Sequence, residues 1–292
     1  MLFNNILKDV INNITVIIVS YKSRKTILNC LKSLKQFKKI LILDNSNDKK
    51  LGYKLKKKSN NIKIFLTKKN NGYGAGYNFL LKKVKTKFAL LMTPDTSISN
   101  GSLKKYIRSL DENKKEFCIM GPYKQNKKFK LGNEEICKAR FILGFSMLIN
   151  LTQINKNDFF DENFFLYMED IDLCKKLINQ NKNILINKSF EIDHVGAKSS
   201  NLDNVIFIKL QNWHWMWSKY FYYRKYNGVI LAFIKFFPKL ISSSLKFLIL
   251  FLLKNDNFIK YQFRTKGLFA SIIGKKSNLR PENLIKNKLN NL

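Results

Sequence analysis

Arginine is scarce in this chain. Six of its 54 basic residues are Arg (Arg24, Arg108, Arg140, Arg224, Arg264 and Arg280) and the rest are Lys. Acids are few as well, 20 in 292 residues, so the formal net charge is +34. Such a charge points first to nucleic acid or to an anionic membrane. Arg is the side chain that reads bases and phosphates in a bidentate way, so its scarcity argues against specific nucleic-acid recognition. The Lys excess goes with abundant Asn and Ile and reads as a general compositional bias, part of which carries no functional message.

Cysteine is sparse too. Cys30, Cys118, Cys137 and Cys174 form no C-x-x-C pair and fit no zinc spacing. They are expected to be reduced, partly buried thiols of a cytosolic protein. No uncharged apolar run reaches the roughly 18 residues that a membrane-spanning helix needs. Residues 1–13 mix Asn and Asp with apolar residues and hold no sustained apolar core, so a secretory signal is not expected.

What the chain does have is alternation. Residues 14–20, Ile-Thr-Val-Ile-Ile-Val-Ser, are a continuous β-branched run suited to a strand buried on both faces. Ile27, Leu28, Leu31 and Leu34 then mark a helix, 40–44 a second buried strand, 49–58 a Lys-rich helix and 62–66 a third strand. A glycine stretch, Asn70 to Asn78, leads into a helix through about residue 85, and 88–92 is a fourth strand. This pattern predicts an α/β fold with a mixed, mostly parallel sheet flanked by helices. Further strands are expected at 141–149, 184–186 and 190–192. In such sheets ligands bind at the carboxyl ends of the strands. Polar groups break the apolar runs at those ends: Ser20 and Tyr21, Asp44, Gly72 to Asn78, and Asp95. The glycine stretch alone is equally an ordinary turn into a helix. Gly144 would let backbone or ligand come close within its strand.

Three carboxylates fall within four residues at Glu169, Asp170 and Asp172, between apolar neighbours, and His194 follows downstream. Charges near a core need a partner or a task. If a helix starts at 169, the acids sit in its first turn, where the helix dipole favours negative charge. Ordinary N-terminal capping explains them as well.

The character changes near residue 200. Residues 205–226 hold Phe207, Trp213, Trp215, Trp217, Tyr220, Phe221, Tyr222, Tyr223 and Tyr226, and residues 229–253 are almost wholly apolar. On a helix at about 100° per residue, Lys239 lies about 40° and Lys246 about 20° from Lys235, with Ser242 about 20° to the other side. A narrow basic stripe on an apolar helix, preceded by Trp and Tyr, fits a segment lying in a membrane interface, with Phe236, Phe237, Phe247 and Leu250 inserting. A helical hairpin packed on the rest of the protein or on a second subunit fits too. Pro238 is expected to kink or split the helix.

Taken in order, these pieces resemble the family 2 glycosyltransferases, especially their bacterial rhamnosyltransferase-like branch. The matching elements are Val16 to Tyr21, Asp44-Asn45-Ser46, Asn70 to Asn78, Leu91-Met92-Thr93-Pro94-Asp95-Thr96, Gly144 to Ile149, Asp161 to Cys174, and His194 with Gly196 and Ser199. The resemblance covers about residues 14–200, and the ordered series is far more specific than any one motif. It implies a GT-A catalytic domain at 14–200, after an N-terminal extension at 1–13; the aromatic, amphipathic helical region at 201–292 is only loosely similar to the family, and its membrane association is expected from its own basic stripe and aromatic belt. It implies transfer of a sugar, rhamnose in that branch, from a nucleotide-diphosphate donor with inversion. The acceptor would be a hydroxyl of a glycan or lipid-linked molecule in cell-surface polysaccharide synthesis, at the inner face of the cell membrane.

By motif position, Asp170 would be the general base and Glu169 and Asp172 would support it. Ser20, Tyr21, Asp44, Gly72, Asn78, Pro94, Asp95 and Gly144 would line the nucleotide-sugar site. Asp95 and His194 would face a divalent cation, Mg²⁺ or Mn²⁺. One departure stands out: the common Asp-x-Asp metal motif has Thr93 in place of its first acid, and one carboxylate makes a weaker metal site. The rival readings are transfer of another hexose or N-acetylhexosamine, a non-catalytic membrane-bound protein on a degenerate GT-A fold, and a nucleic-acid binder. A homo-oligomer would be compatible with any of them.

Overall fold

The computed structural model describes residues 9–112, 116–123, 134–155, 159–194 and 200–289. The chain divides into two compact units, Met1–Phe160 with Asp170–Asn201, and Asp161–Glu169 with Leu202–Leu292.

The first unit follows the alternation read from the sequence. Its elements are β1 (Ile14–Ser20), α1 (Arg24–Lys32), β2 (Ile40–Asp44), α2 (Lys49–Lys58), β3 (Ile62–Leu66), α3 (Tyr73–Leu81), β4 (Phe88–Met92), β5 (Thr96–Ser97), α4 (Asn100–Glu112), β6 (Ile119–Pro122), β7 (Ile136–Lys138), β8 (Ser146–Asn150), α5 (Glu169–Asn179), β9 (Ile184–Asn187) and β10 (Asp193–His194). Eight strands form one sheet in the order β3-β2-β1-β4-β8-β6-β9-β7, and β10 pairs with β5. The β3-β2-β1-β4 half is parallel, β8 runs antiparallel between β4 and β6, and β9 is again parallel to β6.

All seven residues of β1 are buried. Successive side chains of a strand point to opposite faces. Val16 and Ile18 accordingly join one apolar layer, with Leu90 and Met92, while Ile17 and Val19 join the other, with Ala89 and Leu91. Each such side chain contributes roughly 1.5–3 kcal/mol by leaving water. α2 begins at Asp48, whose carboxylate accepts from the Leu51 amide and from Arg24. Gly72, at φ 97°, turns the chain into α3, a backbone conformation that glycine adopts without strain. All four cysteines are buried and free. Burial pushes the Cys30, Cys118 and Cys174 thiols up to about 12.

Two expected strands come out differently. The apolar run 141–149 forms a strand only from Ser146; its first half is a loop around Gly144. Residues 190–192 form no strand. Phe190 stacks on Tyr106 at 3.8 Å, and the Ser102 hydroxyl satisfies both the Glu191 amide (2.8 Å) and its carbonyl (2.6 Å). Pairing starts only at Asp193, where the register sets His194 opposite Thr96.

The second unit contains α6 (Asn204–Asn227), α7 (Val229–Leu252), α8 (Phe258–Ile272) and α9 (Pro281–Leu289). Asp203 caps α6 through the Val205 and Ile206 amides. Gly228, at φ 84°, separates α6 from α7. α7 runs through Pro238 as one helix of 24 residues, so the proline does not split it. His214 lies fully buried on α6, with Nδ1 at 3.0 Å from Ser277 Oγ and Nε2 at 2.9 Å from the Leu279 carbonyl. Burial drives its pKa down to about 3, so it is a neutral structural histidine.

The expected insertion of Phe236 fails. Its ring is 3 % exposed and packs on Tyr220 and Tyr223. The lysine stripe lies toward that packed side: Lys235 Nζ sits over the Tyr223 ring at 3.9 Å and Lys239 Nζ over Phe236 at 4.5 Å. Most apolar residues of α7 are exposed instead, Ile230, Ile234, Phe237, Ile241, Leu248 and Leu252 along one line and Val229, Leu231, Phe233, Leu245, Ile249 and Phe251 to either side of it. The line itself is about 60° wide at 100° per residue and lies roughly opposite the lysines, and with its flanks the exposed apolar surface spans about 200° of the helix. Among the described residues no helix is long and apolar enough to cross a membrane.

The Ser102 clasp generates a prediction. Ser102→Ala leaves two backbone groups of Glu191 without their partner, at a cost of about 1 kcal/mol. Native-state hydrogen exchange is expected to show faster exchange at Glu191 and through β10, with the β1 amides unchanged. Unchanged exchange at Glu191 would show that the clasp does not hold this segment.

Candidate active site

The site starts at the carboxyl ends of β1 and β2. Asp44 is completely buried, and its two oxygens accept from Ser20 Oγ (2.8 Å), Ser46 Oγ (3.0 and 2.8 Å) and the Asp48 amide (2.8 Å). A carboxylate with that many donors is satisfied within the chain. Ser20 and Asp44 therefore brace the strand ends, and Tyr21, half-buried, is the member of this group open to solvent.

The glycine stretch attaches here. Asn45 Nδ2 donates to the Gly72 carbonyl at 3.1 Å, and the Gly72 amide donates to Asn70 Oδ1 at 3.0 Å. Asn78, one turn into α3, has its side-chain amide engaged on both sides by the Phe160 backbone, at 2.9 and 3.0 Å. That pairing makes Asn78 a clamp on residue 160.

At the end of β4 the chain turns through Pro94, buried, into Asp95. His194 Nε2 lies 3.4 Å from Asp95 Oδ2. The two residues are 99 positions apart in sequence, and the β10–β5 register brings them together. Burial pushes the Asp95 carboxyl up, but hydrogen bonds from His194 and Thr93 outweigh it, and the net shift is downward. Asp95 Oδ1 and His194 Nδ1 are buried and have no hydrogen-bond partner. Buried polar atoms without partners are costly, so these two mark a place where a further group fits. Among the described residues no cluster of three or more His, Cys, Asp or Glu side chains is present to hold a metal ion by itself.

The third component is Asp170, in the first turn of α5. Its Oδ2 accepts from the Gly144 amide at 2.8 Å and its Oδ1 from the Ile171 amide at 2.9 Å. Desolvation raises its pKa, against the pull of those amides. Tyr73 donates its hydroxyl to the Gly144 carbonyl. A Cβ at residue 144 would stand 2.7 Å from Tyr73 Oη and 3.3 Å from Asp170 Oδ2. Only glycine leaves room there. Phe145 follows, and its ring stacks on His194 at 4.6 Å and 8°. The Phe145 carbonyl accepts from the Thr93 amide at 3.0 Å.

One chain of contacts thus joins Asp95, His194, Phe145, Gly144, Tyr73 and Asp170, and Gly72 links it to the β2 end. Glu169 and Asp172 are buried at the same helix start. Gly196 and Ser199 lie outside the described residues. Tyr73 and Phe145 were not singled out by sequence reasoning. The one sign of Tyr73 is its place in the glycine stretch, and Phe145 reads as an ordinary strand residue.

The crowding at Gly144 makes a testable difference. Gly144→Ala is expected to destabilise the protein by roughly 1–3 kcal/mol, as overpacking does. Gly101→Ala meets only Ser99 Oγ at 3.9 Å and is expected to be neutral or slightly stabilising, as for helix positions that tolerate alanine. Urea unfolding of the two variants checks this, and equal stabilities would remove the steric argument.

The sequence pattern of glycosyl transferase family 2 matches residues 15–173, more than half of the chain. No curated protein matches the chain significantly. Among solved structures, a mannosyltransferase of Pyrobaculum calidifontis in complex with GDP-Man and Mn²⁺ is similar with TM-score 0.56 at 10% identity, covering 89% of this chain and 86% of that one. S. aureus TarS 1-349 in complex with UDP is similar with TM-score 0.51 at 15% identity, covering 91% and 93%. At such identities the likeness is one of fold, the GT-A arrangement. By the extent of the sequence match, this chain belongs to glycosyl transferase family 2.

Proposed function

We propose that the protein moves a sugar from a nucleotide-diphosphate donor to a hydroxyl of the acceptor with inversion at the anomeric carbon, and that Asp170 is the general base. The observation that carries this reading is the Asp170 carboxylate itself, fixed by two backbone amides and raised in pKa by desolvation. A base poised above the ordinary aspartate range holds a proton better as the attacking hydroxyl loses it. Gly144 and Tyr73 keep the carboxylate aimed, and Glu169 and Asp172 support the helix start. Tyr21 offers a face to the nucleotide base, and Gly72 and Pro94 shape the donor side.

A divalent cation, Mg²⁺ or Mn²⁺, would supply Lewis-acid charge for the leaving diphosphate. The donor set fits such an ion in part. Asp95 Oδ1 is a hard oxygen and His194 Nδ1 an imidazole nitrogen, both without other partners, and diphosphate oxygens and water would complete the shell. The similar mannosyltransferase structure holds GDP-Man and Mn²⁺, which supports this reading.

The finer assignment follows the rhamnosyltransferase-like motif series: rhamnose as the sugar, a lipid-linked or glycan acceptor, and surface polysaccharide as the product. The work would take place at the cytoplasmic face of the cell membrane. The segment 205–253 would dock there, with α7 lying in the interface of an anionic membrane. Residues 204–289 carry 16 basic and 2 acidic residues, and juxtamembrane basic groups are drawn to such a surface. The outward stripe from Ile230 to Leu252 would enter the lipid.

Two measurements test these assignments. Asp170→Asn is expected to lose about 10²–10⁴-fold in turnover while nucleoside diphosphates still raise its melting temperature. In the wild type, kcat/KM should fall as pH drops through the Asp170 pKa, because the base must be unprotonated. That acid limb should lie above about 3.9, the ordinary aspartate value. Normal turnover in Asp170→Asn removes the residue from the mechanism. For the membrane, full-length protein should sediment with anionic liposomes and be released by salt, and Ile234→Glu with Ile241→Glu should abolish sedimentation. Binding unaffected by that pair would place the contact elsewhere.

A further inference from the structure

Four cations of the second unit converge from three of its helices. Asn212 on α6 meets Arg264 on α8, and the Trp217 carbonyl meets Ser271, so these two helices run parallel. α7 runs back beside them, with Phe236 against Tyr220 at 5.7 Å and Phe251 against Phe258 at 5.6 Å. Ala232, Phe236 and Ser243 are the buried residues of α7. Lys239 and Lys246 fall with them inside an arc of about 80°, so both lysines rise from the seam between the helices. Lys246 Nζ and the Arg264 guanidinium share one ring, each 5.5 Å from Tyr261. Lys239 Nζ lies over Phe236 at 4.5 Å, and Lys219 Nζ over Trp215 at 4.2 Å. Lys219 thus bends one turn back along α6, toward Asn212, where Arg264 is held.

Little balances this charge. Residues 204–289 hold two acids, Asp256 and Glu282, and among the described residues none of the four cations forms an ion pair. Burial, then the charges of Lys239 and Arg264, hold the Lys219 ammonium below the ordinary lysine value. Like charges gathered without a counter-charge disfavour one another, and an arriving anion relieves that. Arg264 is already oriented for one. Its Nε is fixed on Asn212 Oδ1 at 2.9 Å, and its outer N–H groups make no hydrogen bond among the described residues. The free edge of a guanidinium matches phosphate oxygens.

We propose that Lys219, Lys239, Lys246 and Arg264 form a binding site for a phosphate or diphosphate group. A carboxylate would bring one charge to four cations. A phosphate brings up to two and a diphosphate more, with enough oxygens to meet the Arg264 fork and the ammonium groups together. The group can be carried by a lipid headgroup or by a soluble molecule. The inference needs neither the proposed base nor the proposed membrane contact, and it concerns one discrete site rather than the diffuse attraction of a basic segment.

The first probe is inorganic pyrophosphate, titrated calorimetrically into full-length protein in EDTA, so that no metal ion bridges it to Asp95. Affinity is expected to fall about tenfold in Lys219→Gln and in Arg264→Gln, as for loss of one charged hydrogen bond. Lys266→Gln removes the same charge from a lysine that lies over Phe263, about 160° from Arg264 on α8, and should bind as the wild type does. Without anion, Lys219→Gln should melt at or above the wild-type temperature, because repulsion is relieved, and pyrophosphate should raise its melting temperature less. No binding by the wild type, affinities unchanged in both variants, or an equal loss in Lys266→Gln would overturn the proposal. So would a Lys219→Gln protein that melts well below the wild type. Flotation with phosphatidylcholine vesicles, with and without phosphatidic acid, assigns the carrier. A phosphatidic-acid-dependent fraction that Lys219→Gln removes supports the site with a lipid as carrier. Pyrophosphate binding that depends on Lys219 while flotation does not supports the site with a soluble carrier.

Discussion

A carboxylate at the edge of an apolar core must be given donors, and for Asp170 the decisive one is the amide of a residue that has no side chain. A Cβ at Gly144 would meet the Tyr73 hydroxyl at 2.7 Å, closer than side chains tolerate, and crowd Asp170 Oδ2 at 3.3 Å. The loop that carries it is anchored through the sheet, because β8 starts two residues later and pairs along its whole length with β4. Phe145, the next residue, stacks on His194, and the β10–β5 pairing sets His194 beside Asp95. One close-packed peptide therefore ties Asp170, the proposed base, to the pair of side chains proposed to face the diphosphate.

The aspartates of this region differ by environment alone. Asp44 is saturated by donors of its own chain and serves the strand ends. Asp95 is pulled below the usual range by His194 and Thr93 despite burial, which suits a group that must stay charged toward a cation. Asp170 is pushed the other way by desolvation, which suits a group that must take a proton. Environments that drive like groups apart are the usual mark of divided chemical labour.

Much of the first unit is legible in the sequence because β1 to β4 are buried on both faces and read as unbroken apolar runs. The edges and the second half of the sheet are harder. β6 and β7 are four and three residues long, too short for a period to show. The run 141–149 looks like one strand because a glycine inside it carries no hydropathy signal, although it decides where the strand begins. His194 could be picked out by motif, but its meeting with Asp95 depends on a two-residue pairing that periodicity does not reveal. In the tail, periodicity found the lysine stripe of α7 and not which side of the helix is covered. Long Lys side chains lie over aromatic rings, so the stripe follows the packed face. The left-handed backbones of Tyr167 and Met168, at φ 69° and 72°, have no sequence signature, since Tyr and Met are not residues that favour that region.

The central claim is sugar transfer with inversion, and the anomeric configuration of the first product tests it most directly. Proton NMR can follow purified full-length protein with nucleotide-sugars, with a divalent cation and an alcohol or water as acceptor. The account predicts release of the nucleoside diphosphate together with a glycoside or free sugar that first appears in the configuration opposite to the donor's. A first product that keeps the donor's configuration would contradict the single-base mechanism. Intact donors throughout, whatever nucleotide-sugar and acceptor are supplied, would contradict catalysis itself.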